Sequence, residues 1–211
     1  PSIPKEKLAE VEPFFALAEK LGKFLVQVTG EAVTELNVSY AGEVANYDVR
    51  PLTASAIKGL FSTKQGTHVN DVNARYLAEQ IGIKINEHKT TTAKGFTSLI
   101  TVEVKTENEV HTIAGTLLNG LGARIVKVEG FGVDLKPEGN ILYVKNTDKP
   151  GAIGRLATKL AEKDINIATM QVGRADVGGQ AVMLLSIDNA VTTEEIQYVT
   201  ELDNIDEVKA I

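Results

Sequence analysis

From residue 141 onward the chain switches between two-residue and 3.6-residue periodicity in an order that few architectures accept. ILYVKN (141–146) reads as a strand, 150–163 as a helix and INIATMQVG (165–173) as a second strand. A turn over Asp176–Gly179 leads to the strand QAVMLLSI (180–187), a helix over 193–202 and a last strand, EVKAI (207–211). That βαββαβ succession predicts a ferredoxin-like unit. Within it, the strand opened by Asn166 is expected beside the first strand. The strand 180–187 carries Ala181, Val182, Met183, Leu184 and Leu185 in succession. Left as an exposed face it would invite association, so a homodimer of such units, or a larger assembly such as a tetramer, is expected.

The residues ahead of this unit form a less regular pattern. Leu8, Val11, Phe15, Ala18, Leu21 and Leu25 recur at helical spacing and predict a helix over 5–28, with a kink or a fresh start at Pro13. Residues 33–41 alternate, placing Leu36, Val38 and Tyr40 on one strand face. Helices follow at 52–62 and 71–81, the second with Asn70 as its N-cap and Gly82 as its stop. Five strands are then expected at 83–88, 97–105, 109–117, 123–130 and 132–136. The polar break Lys136-Pro137-Glu138-Gly139 separates the two patterns. The fold class is therefore α+β in two domains: a mixed α+β domain over 1–137 and the βαββαβ domain over 138–211.

Composition removes several classes of function. The 211 residues hold 43% hydrophobic side chains, which argues against wholesale disorder. Twenty-two basic residues against 28 acidic give a net charge of −6, so there is no basic face for nonspecific nucleic-acid binding. No uncharged apolar run approaches the ~20 residues of a membrane span. With no cysteine there is no disulfide, thiolate nucleophile or thiolate zinc site, and a cytoplasmic location is expected. The start PSIPKEKLAEVE lacks an initiator Met and a basic leader, which reads as a piece of a longer chain. His68, His88 and His111 stand 20 and 23 residues apart, with no metal-ligand spacing, so each is expected to be a surface or hydrogen-bonded histidine. The glycines of 115–122 lack the Lys-Ser/Thr of a phosphate loop, and Ile125 stands where a dinucleotide fingerprint needs glycine. Neither a catalytic set nor a metal site is predicted.

The segment Asn146-Thr147-Asp148-Lys149-Pro150-Gly151-Ala152-Ile153-Gly154 joins a strand to a helix. With Pro150 at the first helical position, the N–H groups of Gly151, Ala152 and Ile153 would point out of the helix end and favour a carboxylate. Asp148 offers an anionic acceptor, Asn146 a two-way amide, and Asn166 a second amide from the next strand. Donors for an α-carboxylate beside acceptors for an α-ammonium suit a free amino acid. The same residues equally well shape a plain strand–helix turn.

Residues 141–211 closely resemble an ACT domain, the small-molecule regulatory module of amino-acid metabolism, through ILYVKNTDKPGAIGRLATKLAEKDINIATMQVGR and GGQAVMLLSID. Residues 5–136 resemble the intervening, allosteric substrate-binding domain of long-form D-3-phosphoglycerate dehydrogenase through LTASAIKGLFS, VNDVNARYLAEQIGI and GTLLNGLGARIVKVEGFGVDLKPEGNILYV. The resemblance implies the regulatory half of that enzyme, sensing L-serine or another small amino acid between two paired ACT domains. The effector positions would be Asn146, Asp148 and Asn166, with backbone groups at Gly151 and Ile153. Asn146 departs from the His or Tyr of relatives. A phosphate or polyanion position in the intervening domain would fall on Arg124 and Lys136, with Phe131 where some members carry a third basic residue. Arg124, Lys127 and Lys136 read equally as a solvated strand edge. The resemblance implies NAD and a catalytic site only in the parent enzyme, whose catalytic domains are this chain's natural partners, and no activity or cofactor here. Two other identities share the ACT module: the β chain of an iron–sulfur L-serine dehydratase, whose SSSHT-type opening is missing from residues 1–40, and a free-standing ACT regulator.

Overall fold

The computed structural model describes residues 5–63, 68–174 and 176–211, with the side chains of residues 5–8 outside the description, so the expectation for Leu8 lies outside it too. The chain divides into two compact units, residues 1–130 and 131–211.

In the first unit α1 (Lys5–Val28) precedes β1 (Glu35–Gly42), α2 (Arg50–Leu60) and α3 (Ala74–Gln80). Four further strands follow: β2 (Lys84–Thr90), β3 (Ser98–Lys105), β4 (Val110–Leu118) and β5 (Gly122–Val128). The strands run in the order β2-β1-β3-β4-β5, with β2 parallel to β1 and the other neighbours antiparallel. Alternation aims Leu36, Val38, Tyr40, Ile100, Val102 and Val104 at one buried face, where all six are inaccessible to solvent. Leu17, Leu21 and Leu25 of α1 and Leu52 and Ile57 of α2 complete that core. Helix α1 runs unbroken through Pro13, whose ring forfeits one backbone bond, and Phe14 rather than Phe15 is the buried residue. The two helices cross closely because each presents a glycine. A β-carbon at Gly22 would lie 2.0 Å from the Ala56 carbonyl oxygen, and one at Gly59 would lie 2.1 Å from that of Glu19. Helix α3 starts at Ala74 rather than near 71. Asn70 instead closes the preceding turn, its Oδ1 accepting from the N–H groups of Val72 and Asn73. A four-residue 3₁₀ turn over Glu43–Asn46 was not expected from the sequence.

The second unit contains β6 (Phe131–Leu135), β7 (Asn140–Thr147), α4 (Ala152–Ala161) and β8 (Ile167–Arg174), then β9 (Gln180–Ile187), α5 (Thr193–Thr200) and β10 (Ile205–Ala210). The last four strands form an antiparallel sheet in the order β10-β7-β9-β8. Leu142, Val144, Met183, Leu185, Ile187 and Val208 pack with Leu156 and Leu160 of α4 and Val199 of α5. Thr192 starts α5 with a capping box, trading side-chain and backbone hydrogen bonds with Glu195. The division by packing falls ahead of the polar break at 136–139 because β6 lies on β8. Phe131 occupies the space left by Gly173, and the Asp134 N–H donates to Gln171 Oε1 at 3.3 Å.

This order corrects two readings of the sequence. Strand β8 neighbours β9, not β7, so Asn166 does not open a strand beside the first. The apolar strand β9 is interior: it has strands on both edges, and Ala181 through Leu185 are all buried within the chain. Its composition is explained there, and β8, not β9, is an edge of this sheet.

Candidate functional site

The end of β7, the loop after it and the start of α4 enclose a cavity of about 340 Å³, with Asn146, Asp148, Gly151, Ile153, Val172 and Arg174 in its wall. Asn146 sits near the end of β7, paired with Ala181 of β9 and Ile205 of β10. Period-two alternation places its side chain on the face of Leu142 and Val144, the face covered by the helices. It is only 3% exposed; its Nδ2 donates to the Thr147 carbonyl at 3.2 Å, and its Oδ1 has no hydrogen-bond partner. A buried acceptor left without a donor costs about 1–3 kcal/mol. The unsatisfied oxygen belongs to a residue that lines the cavity.

Asp148 is held from both sides. Its N–H donates to the Gly179 carbonyl at 2.8 Å, and its Oδ2 accepts from Arg174 Nη1 at 3.0 Å. Arg174 was not singled out from the sequence. The signal was there: Met170, Val172 and Arg174 alternate onto one face at the end of β8, which brings a cation to the cavity.

The helix start differs from expectation. Gly151 is the N-cap of α4 at φ +85°, a left-handed conformation that glycine adopts without penalty, and the first helical residue is Ala152. Pro150 therefore precedes the cap instead of opening the helix. The Ala152 N–H is already engaged by the Lys149 carbonyl at 3.1 Å. Gly151 and Ile153 keep backbone N–H groups with no protein acceptor among the described residues. A β-carbon at Gly151 would also meet the Arg155 guanidinium at 2.6 Å, so a second cation stands beside the loop.

Asn166 is not part of this cluster. Its Nδ2 donates to Asp188 Oδ2 at 2.8 Å, near the Ile167–Ile187 end of the β8–β9 pair, whereas Asn146 pairs with Ala181 at the other end. Six residues of β9 separate the two ends, roughly 20 Å at strand rise. Arg124 of β5 turns its guanidinium back onto the Leu121 and Ala123 carbonyls, at 2.9 and 3.0 Å. Lys136 is exposed in the polar stretch after β6.

A larger cavity, about 530 Å³, lies on the polar face of β2, β1 and β3. There Asn37 Nδ2 donates to Glu103 at 2.8 Å and Glu35 at 3.0 Å, Asn37 Oδ1 accepts from Asn86 at 2.7 Å, and Lys105 pairs with Glu35 at 3.4 Å. His111, 5% exposed, stands between two carboxylates, with Nδ1 3.3 Å from Glu129 and Nε2 3.1 Å from Glu109. The hydrogen bond to Glu129 and the one to Glu109 outweigh burial and raise its pKa above the ordinary histidine value. Among the described residues no group of acidic or histidine side chains could hold a metal ion, and no helix is long and apolar enough to cross a membrane.

Residues 10–129 match the family model of the D-3-phosphoglycerate dehydrogenase intervening domain, and residues 140–202 match that of the ACT domain. The D-3-phosphoglycerate dehydrogenase of Bacillus subtilis (strain 168) is 33% identical over 211 residues, all of this chain and 40% of the relative. That of Methanocaldococcus jannaschii is 36% identical over 211 residues, with the same coverage. The chloroplastic D-3-phosphoglycerate dehydrogenase 3 of Arabidopsis thaliana is 32% identical over 224 residues, 98% of this chain and 38% of the relative. The chain thus spans about two-fifths of the length of these curated relatives.

Proposed function

The chain belongs to the D-3-phosphoglycerate dehydrogenase intervening-domain family and carries an ACT domain after that match; from this premise we propose that it is the regulatory portion of such a dehydrogenase and that its ACT unit binds L-serine. In this reading the parent enzyme opens L-serine biosynthesis by NAD-dependent oxidation in catalytic domains outside these residues, works in the cytoplasm and is restrained by its end product. The 211-residue chain by itself holds no NAD and transfers no hydride. The intervening-domain match favours this reading over an iron–sulfur L-serine dehydratase β chain and over a free-standing regulator.

One observation supports the effector site above the rest: Asn146, whose buried Oδ1 has no hydrogen-bond partner, and Asp148 line the same cavity. An α-ammonium supplies the donor that Asn146 Oδ1 lacks and a further one to the Asp148 carboxylate, while the Gly151 and Ile153 amides receive the carboxylate. Asn166 reaches such a ligand only from a second copy. Two β8 edges paired antiparallel bring the start of one strand to the end of the other, so the partner's Asn166 falls beside the Arg174 end of the cavity. The ligand then bridges a homodimer, and serine binding and dimerisation reinforce one another. A polyanion role for Arg124 and Lys136 belongs to the same proposal but has weaker support, since Arg124 already serves two backbone carbonyls.

Calorimetry of L-serine with the 211-residue chain tests the site. Asp148→Ala removes a charge-assisted bond of about 1.5–3 kcal/mol and should weaken binding roughly ten- to a hundredfold. Undiminished binding in that variant moves the site elsewhere. No heat with any small amino acid reduces the loop to a turn.

A further inference from the structure

We propose that Arg174 recognises the ligand carboxylate, and that the cavity admits a zwitterion by exchanging its own Asp148–Arg174 ion pair for the two charges of the ligand. This rests on the amino-acid-binding reading above and adds the residue that sets the class of ligand.

In the free chain Arg174 commits one nitrogen to Asp148, at 3.0 Å, and its side chain is 56% exposed. Exposed pairs of this kind contribute little stability, so breaking one is a small obstacle to a ligand that replaces both halves. The guanidinium retains a planar fork that matches a carboxylate with two parallel hydrogen bonds, and it already stands at the cavity wall.

Charge balance then selects the ligand. A simple amine must take Asp148 from Arg174 and leaves the guanidinium without its counter-ion. A simple carboxylate does the converse and leaves Asp148 bare. A zwitterion satisfies both and leaves the net charge of the site unchanged. Asn146 fixes which way round it enters. Its orphan Oδ1 can only accept, so the ammonium lies toward β7, and the carboxylate lies toward Arg174 and the Gly151 and Ile153 amides. Ile153 and Val172 supply apolar wall for a short side chain.

The exchange predicts opposite signs for two ligands that differ only by a carboxylate. In calorimetry on the 211-residue chain, Arg174→Gln should weaken L-serine at least tenfold, while ethanolamine binds more tightly than to the unaltered chain because Asp148 is released. Arg174→Lys, which keeps the charge and loses the fork, should restore part of the serine affinity, and both variants should melt where the unaltered chain melts. A purely structural arginine would lower both affinities together, and ethanolamine binding no tighter in Arg174→Gln overturns the exchange. Serine affinity unchanged in Arg174→Gln also overturns it but leaves the amino-acid site standing. An unaltered chain that binds no amino acid removes both.

Discussion

The two polar clusters of this molecule have opposite characters. On the first sheet, Glu35, Asn37, Asn86, Glu103 and Lys105 face a cavity of 530 Å³ and bond to one another. In the ACT unit a cavity of 340 Å³ is lined by Asn146, whose buried amide oxygen bonds to nothing, and by an ion pair shallow enough to open. The larger cavity is the less promising one. A satisfied network stabilises the fold that contains it, whereas an unsatisfied buried group holds a persistent cost that only a visitor relieves. Volume identifies neither; the hydrogen-bond inventory does.

Replacing one asparagine in each cluster by leucine should separate the two most strongly. Asn37→Leu strips three partners at once and should destabilise the first unit by about 1–2 kcal/mol, less than full burial would cost because water reaches the face. Asn146→Leu removes an orphan acceptor and should leave stability unchanged or raise it by up to ~1 kcal/mol, while serine binding falls at least tenfold. Urea unfolding measures both. Equal destabilisation by the two substitutions would make Asn146 an ordinary structural residue.

A smaller effect separates the units by pH. His111 belongs to the first unit, and its folded pKa is raised because Glu129 and Glu109 both favour the imidazolium. A raised folded value means its stabilisation is complete below the unfolded pKa near 6.5 and is lost as pH rises through the folded value. Stability of the first unit should therefore fall as pH rises above the ordinary histidine range, His111→Gln should flatten that slope, and the ACT unit should not respond. A slope that survives His111→Gln places the titrating group elsewhere.

Much of the fold was legible in the sequence, and the parts that were not share a cause. Helices and strands declare themselves through local periodicity, so Leu36-Val38-Tyr40 and the run of β9 were read correctly as elements. Strand order is a long-range property. The interposition of β9 between β7 and β8 separates Asn166 from Asn146, and no local pattern encodes it. The same ordering turned the apolarity of β9 from a sign of a partner into a sign of an interior strand. At the helix start, Pro-Gly pointed to Pro150 as the opening residue, but a glycine at φ +85° cannot be helical, which moves the start to Ala152. The turn over Glu43–Asn46 is too short to show a period. That Asn146, Asp148, Gly151 and Ile153 come together around one cavity was legible because they are contiguous in the chain. Arg174 was overlooked because its counterpart, Asp148, is 26 residues away.

The central claim is that ligand recognition belongs to the ACT unit and that the first polar cluster is structural. Hydrogen–deuterium exchange of the 211-residue chain with and without saturating L-serine tests it in one experiment. Exchange should slow over residues 146–154, and over 166–174 where the second copy contributes, with β1, β2 and β3 unchanged. Protection in β1 to β3, with none around Gly151, would contradict it.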